Sequence, residues 1–279
     1  MPLDLIAFDL DGTILDSNKK ISPRNYMAMK KAIHMGIKLV PCTGRSMFEI
    51  PDALNQFADE AGFAVFPYII TDNGGQIYDF PNNKLLFSKK IPKKTSLALI
   101  AKERKLLALT YGSFGSHGST DKMGLAFKSE EAKPYIKMYR EIWNMKFADL
   151  EELIEWNCGT IRFSISFLHK KDCDSFFKEV SKYPNLTISS SMHKSIDIMT
   201  KGISKGEALK FISRHASIPM EKIMAIGDNL NDMEMIVEAR FGVAMGNAIP
   251  ELKEKADWVT SDNDNDGFAL AIEKMLGEY

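Results

Sequence analysis

A short apolar run, Leu5-Ile6-Ala7-Phe8, breaks at once into Asp9-Leu10-Asp11-Gly12-Thr13. The run reads as a brief buried strand. Two carboxylates one residue apart, followed directly by glycine, then sit on a tight turn at the strand's carboxyl end, where α/β folds assemble their sites. Like charges this close repel unless a cation, a proton or hydrogen bonds compensate them, so the motif implies a bound metal or a shared proton. An Asp-x-Asp-Gly sequence also occurs in ordinary turns and calcium loops, and the rest of the chain has to decide between these readings.

Strand-like runs alternate with helical patterns over the first eighty residues, the signature of βαβ units and a parallel sheet. Ser22-Pro23-Arg24 opens a helix with Ser as cap and Pro at its first position, and Gly36 closes it. The buried run from Ile37 to Val40 leads into Pro41-Cys42-Thr43-Gly44-Arg45, and the run from Tyr68 to Ile70 leads into Thr71-Asp72-Asn73-Gly74-Gly75. Later come Ser195 to Met199, a helix from Lys205, and the buried strand Ile223 to Ile226, which ends in Gly227-Asp228-Asn229. Short strands at Phe241 to Ala244 and Trp258 to Thr260 precede a closing helix from Gly267.

Between these segments the character changes. From about Phe80-Pro81-Asn82-Asn83 to Ser191 the chain is lysine-rich, then rich in Gly and Ser, then strictly alternating over Ile161-Arg162-Phe163-Ser164-Ile165-Ser166-Phe167. Alternation marks a sheet with one solvated face, unlike the continuous apolar runs elsewhere. The expected organisation is a doubly wound α/β core, residues 1–84 and 194–279, interrupted by a mixed α/β insert over residues 85–193.

Composition removes several classes of function. A formal net charge of −1 gives no broad electropositive face for nucleic acid. The most basic stretch, Lys89 to Lys105, reads as a solvated face. Three cysteines, Cys42, Cys158 and Cys173, have neither a disulfide-framework count nor a metal-type spacing, which fits a reducing, cytoplasmic setting. No segment approaches the roughly 18 uninterrupted apolar residues that span a bilayer.

Four polar clusters follow four separate segments: Asp9/Asp11, Thr43/Arg45, Lys205, and Asp228/Asn229/Asn231/Asp232. In a parallel sheet the strand carboxyl ends share one edge, so clusters distant in sequence converge there. Carboxylates from Asp9, Asp11 and Asp228, with Asp232 near them, call for a hard cation such as Mg²⁺. The Thr43 hydroxyl and the Lys205 ammonium remain as donors for an anion, and phosphate fits beside such a cation. A lysine at a helix start is locally unfavourable, which itself argues for a role in the site.

In type, order and spacing, Asp9-Leu10-Asp11-Gly12-Thr13, Thr43 at a strand end, Lys205-Gly206 and Gly227-Asp228-Asn229-Leu230-Asn231-Asp232 resemble the four motifs of the haloacid dehalogenase superfamily. Cys42-Thr43-Gly44-Arg45, Asn73-Gly74-Gly75 and the large insert resemble its Cof-type branch, Mg²⁺-dependent phosphatases of small metabolites with a large α/β cap. The resemblance implies Asp9 as nucleophile forming an aspartyl-phosphate and Asp11 as the acid and base. It implies a metal held by Asp9, the Asp11 carbonyl and Asp228, with Asn231 or Asp232 as a further partner. Thr43, Gly44 and Lys205 would bind the phosphoryl group, and Arg45, Asn73 and Gly74 would lie near substrate. Donation of a proton requires Asp11 to hold one, so its surroundings should differ from those of Asp9.

Other features carry plainer readings. Asp232 suits a helix cap as well as a ligand, Arg45 suits either an acid near the insert or substrate, and His117 suits an exposed loop. Cys42 points away from Thr43 along a strand and reads as a buried, inert thiol. The expected function is hydrolysis of sugar phosphates or phosphorylated cofactors by a monomer or weak homo-oligomer. The alternatives are a phosphotransferase or phosphomutase on the same site and a phospho-signalling receiver-like protein.

Overall fold

Leu5–Phe8 (β1) is buried along its whole length because it lies inside a sheet with a parallel neighbour on each side. The computed structural model describes residues 3–62, 65–114, 117–141, 146–192 and 194–277. After β1 the chain enters helix α1 (Pro23–His34). Ser22 caps it by accepting from the Asn25 amide, and its last basic residues, Lys31 and His34, suit the negative end of the helix dipole. Ala28, Met29 and Ala32 form its buried face, whereas Met27 on the other side is exposed. Gly36, at φ +79°, then turns the chain into β2 (Lys38–Pro41).

Helix α2 (Asp52–Ala61) and β3 (Tyr68–Thr71) follow, and β3 runs antiparallel to β4 (Gln76–Asp79), beside which lies β5 (Lys84–Ser88). The insert then contributes β6 (Ile91–Pro92), α3 (Lys93–Glu103), β7 (Ala108–Ser113), β8 (Gly118–Asp121), α4 (Lys133–Glu141), β9 (Phe147–Ala148) and α5 (Leu150–Asn157). It continues with β10 (Gly159–Thr160), β11 (Arg162–Phe167), α6 (Lys170–Val180), β12 (Leu186–Met192) and β13 (Ser195–Thr200). The chain closes with α7 (Lys205–His215), β14 (Ile223–Gly227), α8 (Met233–Glu238), β15 (Phe241–Ala244), α9 (Pro250–Lys253), β16 (Trp258–Val259) and α10 (Gly267–Met275).

The chain divides into two compact units. One, the core unit, holds residues up to Arg45, Glu49–Phe87 and Ser204 onward, and the other holds Ser46–Phe48 and Ser88–Ile203. The core unit is built on a five-stranded parallel sheet in the order β16-β15-β14-β1-β2, the doubly wound arrangement expected from the apolar runs. A parallel bridge between Cys42 and Ile70 sets β3 beside β2. Phe8 packs edge-on against Phe268 of α10, with ring centroids 5.1 Å apart, so a helix covers the centre of this sheet.

The inserted unit carries a six-stranded mixed sheet, β12-β13-β11-β7-β8-β9. Phe163, Ile165 and Phe167 of β11 join Leu99 and Ile100 of α3 and Phe176 of α6 in one apolar cluster, which is why β11 alternates. The division falls at 203/204 rather than near 194, because β13 pairs along its length with β11 and β12 and belongs to this sheet. His117 stacks on Phe114 between β7 and β8. Gly115 and Ser116 lie outside the described residues. Among the described residues no helix is long and apolar enough to cross a membrane.

Candidate active site

Strands β1, β2 and β14 run parallel, so the turns after Phe8, Pro41 and Gly227 lie on one edge of the core sheet. Asp9 follows β1, and its amide donates to Ile226 of β14. Asp228 follows β14 and folds onto the first turn. A methyl group added at Gly12, which sits at φ +79°, would come within 2.5 Å of Asp228 Oδ2. No other residue leaves room there.

Lys205 is the first residue of α7, where Ser204 caps the helix by accepting from the Glu207 amide. Its ammonium lies 2.7 Å from Asp9 Oδ1 and 2.6 Å from Asp232 Oδ1, with the lysine side chain fully buried. A buried cation at a helix start is unfavourable unless paired, and the two carboxylates supply the pairing. Burial alone would drive the lysine toward its neutral form, but the two acids hold it firmly protonated.

Asp232 spends its other oxygen on the backbone, since Oδ2 accepts from the amides of Asp228 and Asn229 at 3.0 and 3.1 Å. It therefore does what the helix-cap reading expected and also ties the Asp228 turn to Lys205. The carboxylates of Asp9, Asp228 and Asp232 offer oxygens within 4.8 Å of one another. Burial lifts the Asp9 carboxyl well above its ordinary range, with Asp232 and Asp228 adding to the rise and Lys205 opposing it. Asp228 is pushed up to about 6, by burial first and then by Asp232. Three clustered acids facing one ammonium form an oxygen-only set short of positive charge, a donor chemistry that fits a hard divalent cation.

The turns after β2 and β3 are laced together. Asn73 donates its amide to the Thr43 carbonyl, and Asp72 donates to that of Arg45. The Thr43 hydroxyl is buried and accepts from the Arg45 amide at 3.0 Å, as a turn threonine does. Asn73 lies over Gly44, where an added methyl would meet its Oδ1 at 3.0 Å, and Asn231 donates to that same oxygen at 2.9 Å. Gly74, at φ +96°, packs against the Ser204 carbonyl at the start of α7. The structure thus brings together every site residue that the sequence singled out, from four turns and the start of α7 in one unit.

Arg45 and Asp11 form a pair that the sequence left open. Arg45 grips Asp11 with both prongs, Nε to Oδ2 at 2.7 Å and the second guanidinium nitrogen to Oδ1 at 2.8 Å, and Lys19 adds a third contact at 2.8 Å. Burial favours a protonated Asp11, but the hydrogen bonds and charge of Arg45, with Lys19 behind them, hold its carboxyl down at about 2. The two acids of the first motif do differ in environment, and in the opposite sense to that required of a waiting proton donor. Cys42 is fully buried and its thiol is held neutral, chiefly by that burial.

Known proteins place this arrangement. The model of the haloacid dehalogenase-like hydrolases matches residues 6–272. The chain belongs to that family. Within the haloacid dehalogenase-like hydrolases it is 30% identical to the 5-amino-6-(5-phospho-D-ribitylamino)uracil phosphatase YcsE of Bacillus subtilis, over 97% of this chain and 94% of the other. It is 29% identical to the pyridoxal phosphate phosphatase YbhA of Escherichia coli, over 99% of this chain and all of the other. A crystal structure of a haloacid dehalogenase-like hydrolase from Bacteroides thetaiotaomicron superposes with a TM-score of 0.81 at 26% identity, covering 98% of this chain and 99% of that one. As a haloacid dehalogenase-like hydrolase of this branch, the chain is an enzyme of the phosphatase class.

Proposed function

We propose that this enzyme hydrolyses phosphate monoesters of small metabolites, sugar phosphates or phosphorylated cofactors, through an aspartyl-phosphate on Asp9 and with Mg²⁺. The observation that carries the reading is the buried set Asp9, Lys205 and Asp232 with Asp228 alongside: a carboxylate on a strand end, beside a fixed cation and a further acid. The two relatives named above act on phosphorylated small molecules, which supports the substrate class.

Asp9 and Asp228 would hold the metal, because both oxygens of Asp232 are engaged by Lys205 and two backbone amides. When bound, the cation offsets charge on the transferring phosphoryl group. The protein's part is positioning and proton transfer. An oxygen of Asp9 forms a bond to phosphorus while the bond from phosphorus to the leaving oxygen breaks, and Asp11 gives that oxygen a proton. Water then attacks the aspartyl-phosphate, its proton passes to Asp11, and Asp9 returns as a carboxylate with release of phosphate. Thr43, Gly44 and Lys205 line the phosphoryl position, and Arg45, Asn73 and Gly74 support it. For Asp11 to give a proton, Arg45 and Lys19 must first loosen their hold on it.

The test is phosphate release over a panel of sugar phosphates, phosphorylated cofactors and nucleotides with Mg²⁺, run for the wild type and Asp9→Asn. Wild type is expected to turn over at least one class and to stop when the metal is chelated, and the variant is expected to lose turnover. Equal release by the two proteins would refute Asp9 as nucleophile. A product that carries the phosphate in place of free phosphate would identify a phosphotransferase instead.

A further inference from the structure

The turn that carries Asp11 is closed on itself by a bridge between Asp11 and Leu15, and it is also held from outside. Gly12 imposes no side-chain restriction on its own torsions, and it stands at φ +79° in a region open to several conformations. Inside the turn, Thr13 and Leu15 both donate their amides to the Leu10 carbonyl, at 3.3 and 3.0 Å. The Gly12 and Leu15 carbonyls are also held from outside, by two asparagines. Asn247, in the turn after β15, donates its side-chain amide to Gly12 O at 2.8 Å, and Asn263, in the segment after β16, donates to Leu15 O at 2.9 Å. The two are joined, since the Asn263 backbone amide donates to Asn247 Oδ1 at 3.0 Å.

We propose that Asn247 and Asn263 are positioning residues for the reaction, a linked pair that fixes the backbone of the catalytic turn from the last two strands of the sheet. The proposal rests on the reading of Asp9 and Asp11 given above. Asn247 is exposed, so apolar burial does not explain why its side chain is held in one geometry, and ordering an exposed amide costs conformational entropy that its bonds must offset. Those bonds go to the residue after Asp11 and to the other asparagine. Two strands whose ends supply none of the motif residues thereby act on the turn that supplies two of them. Fixing the Gly12 and Leu15 carbonyls fixes the peptide planes on either side of the turn, and with them the direction in which Asp11 leaves the backbone. Displacement of a reacting group by about 1 Å costs on the order of 10²-fold in rate, so loss of one tether is expected to lower kcat about tenfold.

The test uses Asn247→Ala, Asn263→Ala, the double variant, and Asn265→Ala as a control whose side chain, among the described residues, bonds to Asp262 of the same segment. Each tether variant is expected to lose about tenfold in kcat with KM within about twofold. The double variant is expected to lose little more than the worse single one, because both act on one turn. Amide hydrogen exchange at Thr13 and Leu15 is expected to accelerate in the tether variants and not in Asn265→Ala. That measurement needs no turnover, so it separates the proposal from the reading of function. Failure of the wild type on every substrate would remove the reaction, whereas unchanged exchange, or kcat within twofold of wild type in both single variants, would overturn the tether. Equal losses in Asn265→Ala would also overturn it, since they would show only a loosened segment.

Discussion

Lys205 and Asp232 meet at 2.6 Å with neither side chain exposed, and Asp9 completes the contact from the other side at 2.7 Å. A buried pair of this kind contributes little net stability over an apolar replacement, yet removing one partner strands the others without compensation. Lys205→Met is therefore expected to destabilise the core unit by roughly 3–5 kcal/mol, in addition to abolishing turnover. Asp232→Asn keeps one acceptor, enough for Lys205 or for the Asp228 and Asn229 amides but not for both, and is expected to cost less than Lys205→Met. Urea unfolding of the two variants measures the difference, and equal midpoints would show that Lys205 needs the charge of Asp232 and not merely an acceptor.

The Arg45 clamp makes a prediction about acid. A carboxyl held at about 2 in the folded protein, against an ordinary value near 3.8, stabilises the fold above that ordinary value, and the contribution is lost as pH falls toward 2. Asp11 keeps more than a third of its side chain in contact with solvent, so screening limits the effect to about 1 kcal/mol. Arg45→Gln is expected to raise the Asp11 pKa toward its ordinary value and to bring acid unfolding on at a higher pH. Titration of the Asp11 carboxyl by carbon NMR reads this directly, and an unmoved pKa would show that Lys19 alone suffices.

Gly74 allows a test at the junction of two turns. Its φ of +96° is costly for any residue with a Cβ, and an added methyl would stand 2.2 Å from the Ser204 carbonyl. That carbonyl accepts from Ala208 in the first turn of α7, so the intrusion would press on the helix that carries Lys205. Gly74→Ala is expected to cost about 2 kcal/mol or more of stability and to lower kcat by at least tenfold. Retention of wild-type kcat would show that α7 absorbs the shift without moving Lys205.

How much of this was legible in the sequence depended on the range of the interaction concerned. Asp9, Thr43 and Asp228 announce themselves because each follows an apolar run, and a parallel sheet gathers strand ends without further information. Lys205 was legible as a local misfit, a cation where the helix dipole disfavours one. The Arg45 partner was not legible, because Asp11 lies 34 positions away and only the fold brings them together. The sequence boundary near 194 leaves Ser195–Met199 on the core side, whereas the strand Ser195–Thr200 belongs to the sheet of the inserted unit. Its antiparallel partners, β11 and β12, cannot be read from its own residues. Asn247 and Asn263 look like ordinary turn residues, since a side chain bonding to a distant carbonyl leaves no periodic trace.

The inserted unit contains a carboxyl that should couple its stability to pH. Glu103, the last residue of α3, is 1% exposed. Burial pushes its carboxyl up to about 8, with Asp121 adding to the rise and the Arg104 charge opposing it. A carboxyl whose folded pKa exceeds its unfolded one binds its proton more tightly in the folded state. Its contribution is therefore complete below the ordinary value of 4.5 and falls away as pH rises toward 8. Each pH unit in that window is worth at most about 1.4 kcal/mol. Glu103→Gln carries no proton to lose, so it is expected to match the wild type near pH 5 and to exceed it in thermal stability at pH 8. Parallel thermal melts at the two pH values decide the matter: equal slopes for wild type and variant would mean that Glu103 is ionised throughout.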